Sequence, residues 1–310
     1  MLPVMGMSDT FSVIVATKNR PADLGRLFDT LRQQTSMPDE LIIVDQSEDA
    51  KTSELVACFT QKYSSGLKLK VVYVHRLDCV GAGPARNIGI ECASGMVLVF
   101  LDDDVLLDAT FIEELKNALR ARPDLGGVSG VVKNYQRPPF SKRVLLRVFW
   151  IGPFHDERQP IYWKAARLKG EKLIPATRFG SGLMGVRRSA LGNLRFDPYY
   201  DGPGEDVEIT WRIGRKAPLV IAPRAQLIHA HSPSGRVRAH WLFPEARSAA
   251  YLYEKLWFGK LWYRACFGWL KFGLILTAFA ASLRNGSLEP WRAYRSGLTL
   301  GRSQGSKKSP

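Results

Sequence analysis

Three consecutive aspartates, Asp102, Asp103 and Asp104, stand in LDDDV (101–105), directly behind the apolar run MVLVFLD (96–102). Carboxylates this close repel one another unless a cation lies between them, and hard oxygen ligands of this kind suit Mg²⁺ or Mn²⁺. The carboxyl end of a strand is also where open α/β sheets place their ligand crevice. An acidic turn followed by a helix capped at Asp108 would account for Asp104 and Asp108, but hardly for the whole cluster. GEDVEITWR (204–212) sets Glu205 and Asp206 at a helix start, where carboxylates offset the helix dipole. In the company of a metal-type cluster, a carboxylate there can instead take a proton from an attacking hydroxyl. LIHAHS (227–232) puts His229 and His231 two residues apart, on one face of a strand that continues that far, either as ligands or as a hydrogen-bonded structural pair. No HExxH occurs, so a zinc protease is not indicated. The glycine-rich GAGPARNIG (81–89) ahead of a helix could admit a phosphate, yet it matches neither GxGxxG nor GxxxxGK[ST].

These residues need a scaffold, and the first half of the chain reads as one. FSVIVAT (11–17), ELIIVD (40–45), LKVVYV (69–74) and MVLVFLD are strand candidates alternating with helical patterns, as in α/β domains with a mainly parallel sheet. Pro21 opens a helix carrying Leu24, Leu27, Phe28 and Leu31. Further helices are expected over 84–93 and 109–121, the latter capped by Asp108. Beyond residue 134 the pattern lapses, and 135–178 reads as an irregular basic insertion. Strands at 179–186, 218–222 and 225–230 and a helix at 205–214 resume the fold.

The net charge of +15 is unevenly placed. Residues 1–134 carry 14 Lys+Arg against 18 Asp+Glu, 135–180 carry 10 against 3, and 233–310 carry 13 against 3. The tail from Trp241 is helical in pattern and rich in tryptophan, and 265–283 is almost wholly apolar, with Lys271 its one charged residue. A helix lying in an anionic membrane surface is the expectation, with a membrane span and burial against the rest of the protein as alternatives. Cys58, Cys79, Cys92 and Cys266 form no CxxC pair, so neither a zinc site nor a disulfide framework is indicated and a reducing cytosol fits. The first residues carry no basic segment or long apolar core, so no secretory signal is read there. The chain divides into a leader (1–10), a catalytic domain (11–235) and a membrane-associating region (236–310).

The order VIVATKNRP, IIVDQSED, GAGPARNIG, VFLDDDV, FGSGLMGVRRSAL with FDPYYDG, GEDVEITWR and LIHAHS resembles the inverting glycosyltransferases of family two, which have the GT-A fold. The resemblance implies a nucleotide-diphosphate sugar donor, Mn²⁺ or Mg²⁺, and a saccharide or lipid-linked acceptor. It implies donor contacts at Thr17, Arg20, Asp45, Arg86, Asn87, Asp102 and Asp103. Asp102 and Asp104 match the DxD motif that holds the metal, and His229 a histidine that often completes it, with His231 an open alternative. Asp206 matches the usual catalytic base, and Gly182 and Glu205 fall on the acceptor side. No QxxRW follows GEDVEITWR, so single rather than repeated addition is expected. The membrane-seeking tail and the basic insertion point to the inner face of a bacterial cell membrane as the expected setting, in surface polysaccharide or glycolipid synthesis.

Two other classes compete. A sugar-phosphate nucleotidyltransferase would carry a glycine-rich basic loop near the first strand, where VIVATKNRP has no glycine. A non-catalytic protein binding membrane or nucleic acid leaves the acidic cluster without a role, and no nucleic-acid partner is expected.

Overall fold

The computed structural model describes residues 9–67, 69–164, 172–200, 202–232 and 240–307, without the side chains of 63–67. Most of the leader (1–8), residues 165–171 of the basic insertion and residues 308–310 lie outside the described residues. The chain gathers into two compact units, one of Met1–Tyr135, Arg158–Phe196 and Ile209–Gly235, the other of Gln136–Glu157, Asp197–Glu208 and Arg236–Pro310.

The first unit is built on a nine-stranded mixed sheet. β1 (Phe11–Thr17), β2 (Glu40–Asp45), β3 (Lys70–His75) and β4 (Val97–Asp102) are parallel in the order β3-β2-β1-β4. The sheet then continues through β8 (Leu183–Arg187), β6 (Gly127–Val132), β9 (Leu219–His229) and β5 (Val105–Leu107), with β7 (Ile174–Ala176) beside β9. β8, β5 and β7 run against the other six strands, so most strands share one direction. β2 and β6 are buried along their whole length, and β1 and β4 but for one residue each. This is why they read as continuous apolar runs instead of alternating ones: helices cover both faces of such strands. The crossover helices are α1 (Pro21–Leu31), α2 (Lys51–Leu67), α3 (Ala82–Cys92) and α4 (Phe111–Ala121). In α1 the expected Leu24, Leu27, Phe28 and Leu31 are the buried side. α6 (Arg158–Lys164) and α7 (Arg188–Leu191) are short.

Four local expectations change. Asp108 does not cap α4 with its side chain: Thr110 is the N-cap residue, and Lys133 Nζ holds both Asp108 oxygens at 2.6 and 2.9 Å. The strands expected at 218–222 and 225–230 are one strand, β9, because the register against β6 shifts between Ser129 and Val131 and absorbs Pro223 as an irregularity. The strand expected at 179–186 begins at Leu183. The segment 135–178 is not irregular throughout, since it forms α5 (Phe140–Phe149), a 3₁₀ turn (Gly152–Phe154), α6 and β7.

The second unit contains α5, the start of α8 (Glu205–Gly214), α9 (Leu242–Leu252), a π-helical turn (Tyr253–Trp257), α10 (Leu261–Asn285) and α11 (Glu289–Gly305). α9 and α11 are joined through three glycines spaced four apart. A side chain at Gly297, Gly301 or Gly305 would collide with the Phe243, Arg247 or Tyr251 carbonyl oxygen respectively, so the two backbones touch. Small residues at this spacing let helices approach to backbone contact.

Candidate active site

The carboxyl ends of β1, β2 and β4 lie side by side, with Ala16 opposite Asp102 and Thr17 opposite Asp45. The chain then leaves β4 through Asp103 and Asp104 and enters β5, whose Val105 pairs antiparallel with His229 at the end of β9. That short hairpin-like pairing joins two motifs more than a hundred residues apart. The Ala230 amide donates to the Asp104 carbonyl at 2.8 Å and the Ser232 amide to Asp104 Oδ2 at 3.0 Å.

Each outer aspartate has one oxygen held by protein and the other turned toward His229. Arg86, buried on α3 and set over the Phe196 ring, donates to Asp102 Oδ1 at 2.8 Å. Asp102 Oδ2 lies 3.6 Å from His229 Nε2, and Asp104 Oδ1 lies 3.4 Å from the same nitrogen. Gly182 is packed against the Asp102 carboxylate so closely that any Cβ there would overlap it. Gly182 was expected on the acceptor side; among the described contacts it is what gives Asp102 room. Burial acts to raise the Asp102 carboxyl, but the nearby His229 ring and the Arg86 guanidinium outweigh it and hold the group at about 2.

Asp103 turns the other way. Its Oδ2 accepts from Thr17 Oγ1 at 2.8 Å and its Oδ1 from Arg20 at 3.1 Å, which ties the ends of β1 and β4 together beneath the cluster. Burial pushes its carboxyl up to about 6, against the pull of Arg20 and Thr17 and with Asp104 adding to the rise. Asp45 is fully buried, with Oδ1 on the Ser47 amide and Oδ2 on the Tyr73 hydroxyl, at 2.9 and 2.7 Å. Asn87 makes a reciprocal pair with the Phe196 backbone, both bonds at 2.9 Å. His231 has φ 52°, and its amide donates to His229 Nδ1 at 3.2 Å, so it orients the ring of its neighbour.

A divalent cation fits this arrangement. Asp102, Asp104 and His229 each offer a donor atom within 4.8 Å of the others, the second oxygens of the two aspartates are held by Arg86 and the Ser232 amide, and Gly182 leaves the space. To hold a cation on Nε2, His229 must carry its proton on Nδ1, which gives up the acceptor role that nitrogen has toward the His231 amide. Two carboxylates and an imidazole are a donor set for Mn²⁺ or Mg²⁺, with such second partners fixing ligand orientation.

Glu205 and Asp206 open α8 in the second unit. Asp206 Oδ1 accepts the Val207 amide at 2.8 Å, and the helix follows Gly204, whose φ of 125° excludes other residues without strain. The loop before them is anchored by residues that sequence reasoning missed. Asp197, fully buried, accepts from the Tyr199 amide, the Tyr251 hydroxyl and Lys255 at 2.9, 3.1 and 2.7 Å. Tyr200 stacks on Tyr251 at 3.7 Å and donates to the Pro203 carbonyl at 2.6 Å. The signal was the aromatic pair in FDPYYDG, which has no meaning until α9 supplies the partner ring. Ser232, also missed, acts through its amide, which leaves no trace in residue type.

Comparison with known proteins agrees with this geometry. The sequence profile described as Glycosyl transferase family 2 matches residues 12–194. Validoxylamine A glucosyltransferase of Streptomyces hygroscopicus subsp. limoneus is 33% identical over 106 residues, 34% of this chain and 22% of that protein. The match therefore spans less than a quarter of that relative. The mannosyltransferase PcManGT from Pyrobaculum calidifontis, solved with GDP-Man and Mn²⁺, superposes with TM-score 0.58 at 20% identity, covering 96% of this chain and 87% of that one. GalNAc-T7, solved with UDP, GalNAc and Mn²⁺, gives TM-score 0.60 at 19% identity over 83% of this chain and 49% of that one. At such identities the likeness shows the fold, GT-A. With the family profile covering most of the chain and the acidic cluster at the end of β4 inside it, this chain belongs to glycosyl transferase family 2.

Proposed function

We propose that the protein transfers a single sugar, of the hexosyl or a related class, from a nucleotide-diphosphate sugar to an acceptor hydroxyl with inversion. Asp102, Asp104 and His229 hold Mn²⁺ or Mg²⁺ in this reading. The observation that carries it is the convergence of Asp102 Oδ2 and Asp104 Oδ1 on His229 Nε2, at 3.6 and 3.4 Å, with Gly182 leaving the room. Solved proteins of the same fold carry GDP-Man or UDP together with Mn²⁺, which supports the donor class.

When bound, the cation offsets the negative charge that gathers on the departing nucleoside diphosphate. Arg20 and Arg86 add fixed positive charge on the donor side, where Thr17, Asp45, Asn87 and Asp103 belong by family position. Asp206 accepts the acceptor hydroxyl's proton as that oxygen bonds to the anomeric carbon and the bond to the diphosphate breaks. Glu205 and Gly182 remain assigned to the acceptor side. The acceptor is a saccharide or lipid-linked sugar of bacterial surface polysaccharide or glycolipid synthesis, and the enzyme works at the inner face of the cell membrane, held by its basic, aromatic C-terminal helices.

The test is a panel of nucleotide sugars, each assayed for protection of the full-length protein against thermal unfolding with Mn²⁺, with Mg²⁺ and with EDTA. One donor should protect, and only with metal. Equal protection in EDTA refutes the metal site, and protection by none refutes the donor class.

A further inference from the structure

Helix α10 is apolar on two opposite sides. Cys266, Phe267, Leu270, Gly273, Leu274 and Ala278 are buried within the second unit. Leu261, Phe272, Leu276, Phe279 and Leu283 lie on the other side and are exposed, Leu261 by 82% and Leu283 by 69%. The helix has the length and composition to cross a membrane, with 39% of its most apolar stretch buried. A helix with one side packed on its own protein offers only the other to lipid, which is the geometry of an in-plane membrane helix.

Beside its first turns lies a groove of about 480 Å³, formed with the π-helical turn and α11. Lys260, Arg264, Lys271 and Arg302 line it. Tyr253 and Phe267 are its buried aromatic residues, and Phe258 and Leu261 its exposed apolar ones. Among the described residues the one carboxylate in the lining is Glu254, 3.7 Å from Arg302 Nε, so that four described cations face one described anion. Burial chiefly, and then the charges of Arg302 and Arg264, pulls the Lys271 ammonium below its ordinary range, with Glu254 acting against them.

We propose that this groove takes the phosphate headgroup of an anionic membrane lipid, whose chains leave past Phe258 and Leu261 onto the exposed side of α10. The charge is complementary, guanidinium and ammonium groups are the usual donors to phosphate, and the apolar exit is continuous with a face that water does not suit. The assignment rests on the membrane-facing reading above and makes it a specific site in place of a diffuse attraction.

The full-length protein is co-sedimented with vesicles of phosphatidylcholine alone and of phosphatidylcholine with phosphatidylglycerol. Arg264→Gln with Lys271→Gln removes two charges from the groove; Arg292→Gln with Arg295→Gln removes two from exposed positions of α11 outside it. Diffuse attraction costs about fivefold per lost charge near the surface, wherever it is lost. A headgroup site predicts a loss for the groove pair about tenfold beyond that of the α11 pair. Arg264→Lys with Lys271→Arg should restore most of the binding. Equal losses for the two pairs overturn the site while leaving membrane attraction intact; failure of the wild type to bind anionic vesicles overturns the membrane reading itself. Millimolar inorganic phosphate that displaces the protein from vesicles would make the ligand a free phosphate and refute the lipid assignment. Neither pair should alter protection by the nucleotide sugar.

Discussion

Gly182→Ala is the substitution that asks most of the proposed metal centre, because it removes no ligand. A Cβ at residue 182 would lie 3.0 Å from Asp102 Oδ1 and closer still to Cγ and Oδ2. Ordinary carbon contacts begin near 3.5 Å, so the carboxylate must retreat by about 1 Å or rotate. Its Oδ1 is tied to Arg86 at 2.8 Å and its backbone ends a buried strand, so rotation about χ is the available escape, and it turns Oδ2 away from His229. Metal sites tolerate ligand shifts of roughly 0.2 Å, and disturbing the support of a ligand costs about 10- to 100-fold in affinity. That range is the expected loss of Mn²⁺ affinity by isothermal titration, with Asp102→Ala as the full-loss reference. Overpacking should also cost about 1–3 kcal/mol in urea unfolding without metal. Wild-type Mn²⁺ affinity in Gly182→Ala would refute the argument that this glycine makes room for the ligand.

Asp103 gives a pH signature in the metal-free protein. Its carboxyl is held at about 6 and an unfolded aspartate titrates near 4, so between those values the folded state binds the extra proton. Stability from this group is therefore present at low pH and lost as pH rises through 6, by up to about 3 kcal/mol. Asp103→Asn should remove that slope in thermal melts from pH 4 to 6, and a slope unchanged by the substitution would count against it. Asp206→Asn should bind donor yet lose about 10²- to 10⁴-fold in turnover, far more than Glu205→Gln; adjacent helical side chains diverge by about 100°, and the reverse order would move the base to Glu205. Gly301→Ala should destabilise the protein by about 1–3 kcal/mol despite alanine's better helix propensity, because its Cβ meets the Arg247 carbonyl. A neutral or stabilised variant in urea titration would mean that α9 and α11 are less tightly apposed than described.

What the residues disclose in advance follows from range. β1, β2 and β4 are legible because burial on both faces writes itself into every position, and LDDDV because the cluster is consecutive. The Asp108 cap misled because an aspartate before a helix is a local signal, overridden by Lys133, which arrives from the end of β6. The meeting of Gly182 with Asp102, the Asp104 bond to the Ser232 amide, and the stack of Tyr200 on Tyr251 join residues far apart in sequence. Residue types at one end of such a pair carry no record of the other. The spacing of Gly297, Gly301 and Gly305 was present in the sequence, but its sense depends on a facing helix whose carbonyls come into view only in three dimensions.

That glycine row works like a toothed rack. With Gly297, Gly301 and Gly305 seated on the carbonyls of Phe243, Arg247 and Tyr251, a slip of one residue along either axis would drive a side chain into bare backbone. α9 and α11 are thereby locked in register and move as one bar. The same α9 that meshes with α11 grips Asp197 through Tyr251 and, one turn on, Lys255, and stacks Tyr251 on Tyr200 at the root of the loop leading to Glu205 and Asp206. The C-terminal helices are therefore no detachable tether. A chain cut before Glu289 would lose the rack's second half and, with it, the stiffness of the beam on which the carboxylates of α8 are mounted.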